Sequence, residues 1–169
     1  MPTPVSHAAV GFAIAAWTQQ RPPTKRVCLV AAACAVLPYI DYYGWPLAHR
    51  SLTHSLAFAI AAAAAATVIF FRSPQWSRQR ARVAVSLAVA ALSHGFLDAL
   101  SSYSYGVGFF APFTQQRYRF PWTPLGSSTG SLAGQLVQEA LVVLLPAILL
   151  AWLAFKIRGR APSPQVTPV

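Results

Sequence analysis

The side chains able to hold a metal or move a proton are few in this chain, four histidines and three carboxylates in 169 residues, and they recur in short motifs. In SHGFLDAL, His94 and Asp98 are four apart, which stacks an imidazole and a carboxylate on one helix face. Such a pair can grip one divalent cation from two directions; imidazole and carboxylate oxygen suit zinc best, with manganese or iron as alternatives. A hydrogen-bonded His and Asp tying two helices together is an equally weighted reading of the pair alone. HRSLTH places His49, Arg50 and His54 ahead of an alanine-rich run, LPYIDYYGW carries Asp41 just beyond Pro38, and SHAAVG opens on His7. Singly, each has a better structural explanation. Asp41 could start a turn or cap a helix, Ser51 or Thr53 could cap the helix that follows, Ser6 could cap the first, and Arg50 could snorkel to water. Their concentration is what argues for chemistry.

The elements that must position these residues are apolar. Hydrophobic residues make up 56% of the chain, charged residues only 9%, and mean hydropathy is +0.48, outside the range of an ordinary soluble domain. The sequence predicts an all-α integral membrane bundle of about five apolar helices. His54 to Phe71, Val83 to Leu100 and Leu132 to Phe155 have spanning length. Pro4 to Trp17 and Val27 to Ile40 are shorter, and fit either tilted spans or a re-entrant hairpin. No positive charge precedes the first apolar run, so it reads as a retained helix and not a cleaved signal. Cys28 and Cys34 are six apart in one apolar segment, a spacing that suits neither zinc nor redox chemistry and reads as buried small hydrophobes. Residues 1–160 form one predicted domain, and the proline-rich 161–169 a disordered tail.

A net charge of +10 could point to nucleic acid, but its distribution points to a membrane. Arg21, Lys25 and Arg26, then Arg72, Arg78, Arg80 and Arg82, then Lys156, Arg158 and Arg160 fall on one side of a five-span chain. Arg50, Arg117 and Arg119 fall on the other. That asymmetry makes the basic side cytoplasmic, with the N-terminus outside and the C-terminus inside. By the same alternation His7, Asp41, His49, His54, His94, Asp98 and Glu139 all gather toward the outer face. Ionisable groups at membrane depth are costly, so they should face a cavity and one another. Residues 101–131, rich in aromatics, glycine and proline, predict an interfacial cover over that site.

The series SHAAVG, LPYID, HRSLTHS, SHGFLDALSSY and GVGFFAPF, spread over residues 4–125, resembles the YdjM-type family of bacterial membrane-bound, metal-dependent hydrolases. That family is related to the zinc phospholipase C and single-strand nuclease superfamily. The resemblance implies a helical fold, a bacterial inner-membrane location and a phosphoesterase-like centre of one or two divalent ions, most readily zinc. It places metal ligands at His7, Asp41, His54, His94 and Asp98, with His49 and Arg50 in the accompanying motif. Asp41 is then a ligand or a general base, Arg50 an anion clamp, and Arg117 and Arg119 outer candidates for substrate that read more readily as solvated loop charges. One departure stands out: the family pattern has two aspartates in its LPDID-like motif, and here Tyr39 replaces the first. Glu139, beside Gln135 and Gln138, is either a late carboxylate ligand or part of a polar helix entrance.

Three classes of function follow. A phosphoester hydrolase, acting on a lipid-borne ester because of the depth of the site, is the favoured one. An ion or metal transporter would need its ionisable groups distributed through the bilayer, whereas these cluster at one face. A non-catalytic membrane scaffold draws its support from Tyr39.

Overall fold

The computed structural model describes residues 2–43, 49–102, 105–126 and 131–159. Five helices carry these residues: α1 (Pro4–Thr18), α2 (Lys25–Val36), α3 (Leu56–Phe71), α4 (Arg80–Ala99) and α5 (Leu132–Arg158). No strand forms among them, only the isolated bridges Ser101 to Leu125 and Val107 to Tyr118. The all-helical expectation therefore holds. Arg80–Ala99 and Leu132–Arg158 are long and apolar enough to cross a membrane, while Leu56–Phe71 is apolar but shorter. The predicted tail lies outside the described residues.

Local chemistry sets the boundaries. Pro4 opens α1, where a missing N–H costs nothing. Pro38 has no N–H with which to continue the α ladder, and the chain beyond Val36 tightens into a 3-10 turn, Leu37–Tyr43, that carries Asp41. The third apolar segment was expected to start at His54; the α-helix starts at Leu56 instead, and His54 belongs to the preceding 3-10 turn Leu52–His54. Its cap is also different from the expected Ser51 or Thr53, because Ser55 Oγ accepts the Phe58 N–H. Pro146 lies inside α5, where its ring has no N–H to give and crowds the carbonyl four residues back. The ladder answers with a π-helical turn over Ala140–Leu144.

Small residues draw α1, α2 and α4 together. Gly11 and Ala15 on α1 meet Ala31 and Ala35 on α2, all buried, with spacing of four on both helices. This small-xxx-small pattern lets backbones approach closely, which is how helices associate where lipid leaves little hydrophobic driving force. The approach is tight enough that a Cβ on Gly11 would meet Ala35 Cβ at 2.6 Å. Cys28 and Cys34 are free and buried in the same core.

The basic end of the bundle is tied together by arginines on helix-terminal carbonyls, where the helix dipole favours cations. Arg26, at the start of α2, donates to Phe70 O at 2.7 Å, and Arg80, at the start of α4, to Phe71 O at 3.2 Å. Arg158 at the end of α5 reaches Gln19 O, just past α1, at 2.7 Å. The ends of α1, α3 and α5 thus meet the starts of α2 and α4, an antiparallel order that puts the start of α1 and the ends of α2 and α4 at the opposite pole.

Candidate metal centre

That opposite pole holds the histidines. His7 comes from the first turn of α1, Asp41, His49 and His54 from the 3-10 turns and bend between α2 and α3, and His94 and Asp98 from the last turns of α4. Their side chains are buried apart from His49, whose side chain is 37% exposed and marks the mouth.

His7, His94 and Asp98 each offer a ligand atom, and these atoms lie within 4.8 Å of one another. His7 and His94 stack face to face, with ring centroids 3.9 Å apart. His94 Nδ1 lies 2.7 Å from the Ala35 carbonyl, an acceptor only, so that nitrogen carries the proton. Nε2 is left with its lone pair, aimed toward Asp98 Oδ2 at 3.9 Å. His54 is oriented in the same way: Nδ1 faces Asp41 Oδ2 at 3.3 Å, and Nε2 approaches Asp98 Oδ2 at 3.2 Å. None of His7 Nδ1 and Nε2, His54 Nε2, His94 Nε2 or the two Asp98 oxygens has an aligned hydrogen-bond partner. Buried polar atoms are ordinarily satisfied. Imidazole nitrogens and carboxylate oxygens that converge while lacking aligned hydrogen bonds are what a cation ligand set offers, so these residues fit a divalent metal.

Asp41 stands one step back. Oδ1 takes His49 Nδ1 at 2.6 Å; Oδ2 accepts from the Arg50 backbone N–H at 3.1 Å and from the Thr53 hydroxyl, and lies beside His54 Nδ1. Burial alone would raise this carboxyl, but hydrogen bonds from His54, Thr53 and His49 outweigh it and hold Asp41 well below the usual carboxylate range. It orients a ring whose other nitrogen faces the cluster, the arrangement that fixes metal-binding imidazoles.

Arg50 is held with φ at 60°, a left-handed conformation rare outside glycine. Two bonds impose it, the N–H to Asp41 and the carbonyl accepting Gly108 N–H at 2.9 Å. Its Nε lies 3.3 Å from Asp98 Oδ2, so the side chain predicted to clamp a substrate anion faces a carboxylate of the cluster. Arg117 braces the same bend, reaching His49 O at 3.2 Å, whereas Arg119 is exposed. The segment from Gly106 to Phe120 packs against this bend. Leu56 N–H bonds Phe109 O at 2.9 Å, and Gly95 leaves room for Phe109 and Val107 against the His54 backbone.

Glu139 takes no part in the cluster. Its Oε1 accepts the Thr3 N–H and hydroxyl, both at 2.6 Å, and so serves the free N–H groups at the start of α1. Three residues outside the predicted site set contribute to it. Thr53 donates to Asp41 and does not cap α3; Ala35 acts through a carbonyl, which no residue type signals. Tyr39 stands edge-on to His7 and His94, with centroids 5.5 and 5.0 Å away, and donates to Pro2 O.

Fold and site together define a helical membrane-type protein with a buried histidine and aspartate nest at one pole. The chain belongs to the YdjM inner membrane protein family, whose model matches residues 1–162, well beyond the motifs at 4–125. It is 28% identical over 162 residues to inner membrane protein YbcI of Escherichia coli (strain K12), a match covering 90% of this chain and 92% of that protein. No solved structure matches the chain significantly.

Proposed function

We propose that the protein is a multi-pass inner-membrane, metal-dependent hydrolase of phosphoester type, with its site toward the outer face and its C-terminus in the cytoplasm. The observation that carries this reading is the buried convergence of His7, His94 and Asp98, whose ligand atoms lie within 4.8 Å of one another without aligned hydrogen-bond partners. These three would hold one divalent ion, most readily zinc, with His54 adjoining through Asp98. When bound, the ion supplies Lewis acidity toward a phosphoryl oxygen and toward water. Asp41 keeps the His49 and His54 rings in one orientation. His49, at the mouth with its Nδ1 held by Asp41, presents Nε2 as the atom to take or return a proton at the substrate. Arg50 balances the charge of Asp98 and borders the space where an anionic ester would enter.

The five-span reading rests on the antiparallel helix order and on the basic residues at one pole. The Arg50 to Asp98 contact favours a second reading, a metal-free ionic nest that fixes helix packing. Metal analysis of the protein purified in the presence of zinc separates the two. The hydrolase reading expects about one ion per chain, lost in His94→Ala together with cleavage of phospholipids or generic phosphodiesters. A metal-free wild type with no such cleavage would refute it.

A further inference from the structure

On the outer surface of α4, across Gly95 from the cluster, an apolar groove of about 390 Å³ runs between α3, α4 and the 106–120 segment. Leu56, Leu92, Phe96, Phe109 and Phe120 line it, and Arg119 is the charged residue on its rim. Leu92 and Phe96 lie one turn apart on α4, so the groove descends by about 6 Å from the pole that holds the site. Among the described residues Arg119 has no ion-pair or hydrogen-bond partner, and it is exposed. The chain has only three carboxylates, and Asp41, Asp98 and Glu139 are all engaged elsewhere. An unpaired cation at the top of an apolar channel therefore asks for an anion from outside the chain.

We infer that this groove binds one anionic phospholipid, with an acyl chain along Leu92 and Phe96 and the headgroup phosphate at Arg119. The apolar lining accepts the chain as it would any lipid tail; the guanidinium adds the selection for negative charge. A second crevice provides an internal contrast. Bordered by Ile14, Val89, Val142 and Pro146, it is of similar size, about 430 Å³, but has no charged residue in its lining. That one suits unselective bilayer lipid. The wall between groove and cluster is thin: a Cβ on Gly95 would meet His54 O at 3.0 Å and Phe109 at 3.1 Å. Arg117, two residues before Arg119, holds the His49 carbonyl, so the rim cation and the mouth of the cluster are carried by one short segment. The groove thus deepens the hydrolase reading by naming a lipid class that would be retained beside the site. Binding itself does not depend on catalysis.

The test is photocrosslinking of the full-length protein in nanodiscs, with phosphatidylglycerol or phosphatidylcholine carrying a diazirine in the acyl chain, and mapping of the labelled peptides. Expected is labelling of the α4 end and the 106–120 segment that unlabelled phosphatidylglycerol displaces and phosphatidylcholine does not. Arg119→Gln, an exposed change that leaves packing intact, should reduce it severalfold and erase the headgroup preference. Leu92→Trp should block it, while Val142→Trp in the uncharged crevice should leave it unchanged. Equal labelling of both crevices by both lipids, or a headgroup preference that survives Arg119→Gln, would mean bilayer lipid only and would overturn the inference. His94→Ala should crosslink like wild type, so a failed hydrolase assay and a failed lipid site are told apart.

Discussion

Replacing Gly11 by alanine should damage the proposed metal centre from a distance. One methyl group is added, yet it would lie 2.6 Å from Ala35 Cβ and 2.8 Å from Ala31 O. Neither neighbour can rotate away, because one is a Cβ fixed to the α2 backbone and the other a backbone carbonyl. Reaching even a tight 3.4 Å contact requires α1 and α2 to part by about 0.6 to 0.8 Å. Overpacking of that kind costs about 1–3 kcal/mol of stability. The shift also reaches the site twice. His7 lies one helical turn from Gly11 on α1, and Ala35 carries the carbonyl that holds His94 Nδ1. Loss of such a support costs about 10–100-fold in metal affinity. Zinc titration calorimetry and SDS unfolding of Gly11→Ala should therefore show weakened binding and weakened folding together. Ala65→Leu, on an exposed position of α3, should show neither. Wild-type affinity and an unchanged unfolding midpoint in Gly11→Ala would refute the claim that this contact sets the cluster geometry.

Further outcomes follow from the same contacts. Asp98→Ala should abolish zinc binding, whereas Asp41→Asn, acting through His54, should weaken it by about 10–100-fold; equal losses in the two would place Asp41 on the metal itself. Glu139→Ala removes the acceptor shared by Thr3 N–H and hydroxyl and should cost about 1.5–3 kcal/mol, while Glu139→Gln, which keeps an oxygen, should recover much of it in SDS unfolding. In metal-free protein the depressed Asp41 carboxyl stabilises the fold fully above its ordinary value of 3.8 and loses that contribution as pH falls toward its lowered one. Acid unfolding should accordingly begin more gradually in Asp41→Asn than in wild type, and superimposable acid curves would count against the Asp41 network.

The sequence made the helices legible because long uncharged apolar runs bounded by proline and basic residues have few other uses. Alternation then put His7, Asp41, His54, His94 and Asp98 at one pole before any contact was known. The helix starts were less legible: Ser51, Thr53 and Ser55 are all able to cap, and the 3-10 turn Leu52–His54, whose Thr53 hydroxyl is taken by Asp41, moves the start of α3 to Leu56 and the cap to Ser55. The division of labour inside the site was not readable either. Spacing marks His94 and Asp98 as neighbours, but that His94 Nδ1 bonds Ala35 depends on how closely α2 and α4 pack. Glu139 illustrates the reverse, since a lone carboxylate near an apolar helix gives no hint that its partner is Thr3, more than a hundred residues away.

Tyr39 bears most directly on how many ions the site can hold. At the position where the resemblance implies an aspartate, this chain sets a ring that stands edge-on to both stacked imidazoles. A tyrosine there brings no carboxylate, and one group of three ligand residues is present among those described. Asp98 nevertheless keeps both oxygens without aligned partners, and His7 keeps both nitrogens so. A carboxylate restored at position 39 would find donors nearby to share. Tyr39→Asp should therefore raise zinc stoichiometry from about one toward two per chain, at some cost in stability because the contact with Pro2 is lost. Elemental analysis after gel filtration measures this directly. If the count stays at one while the variant remains folded, the unpartnered atoms of His7 and Asp98 do not form a second half-site, and the single-ion centre is fixed by helix packing and not by the residue at position 39.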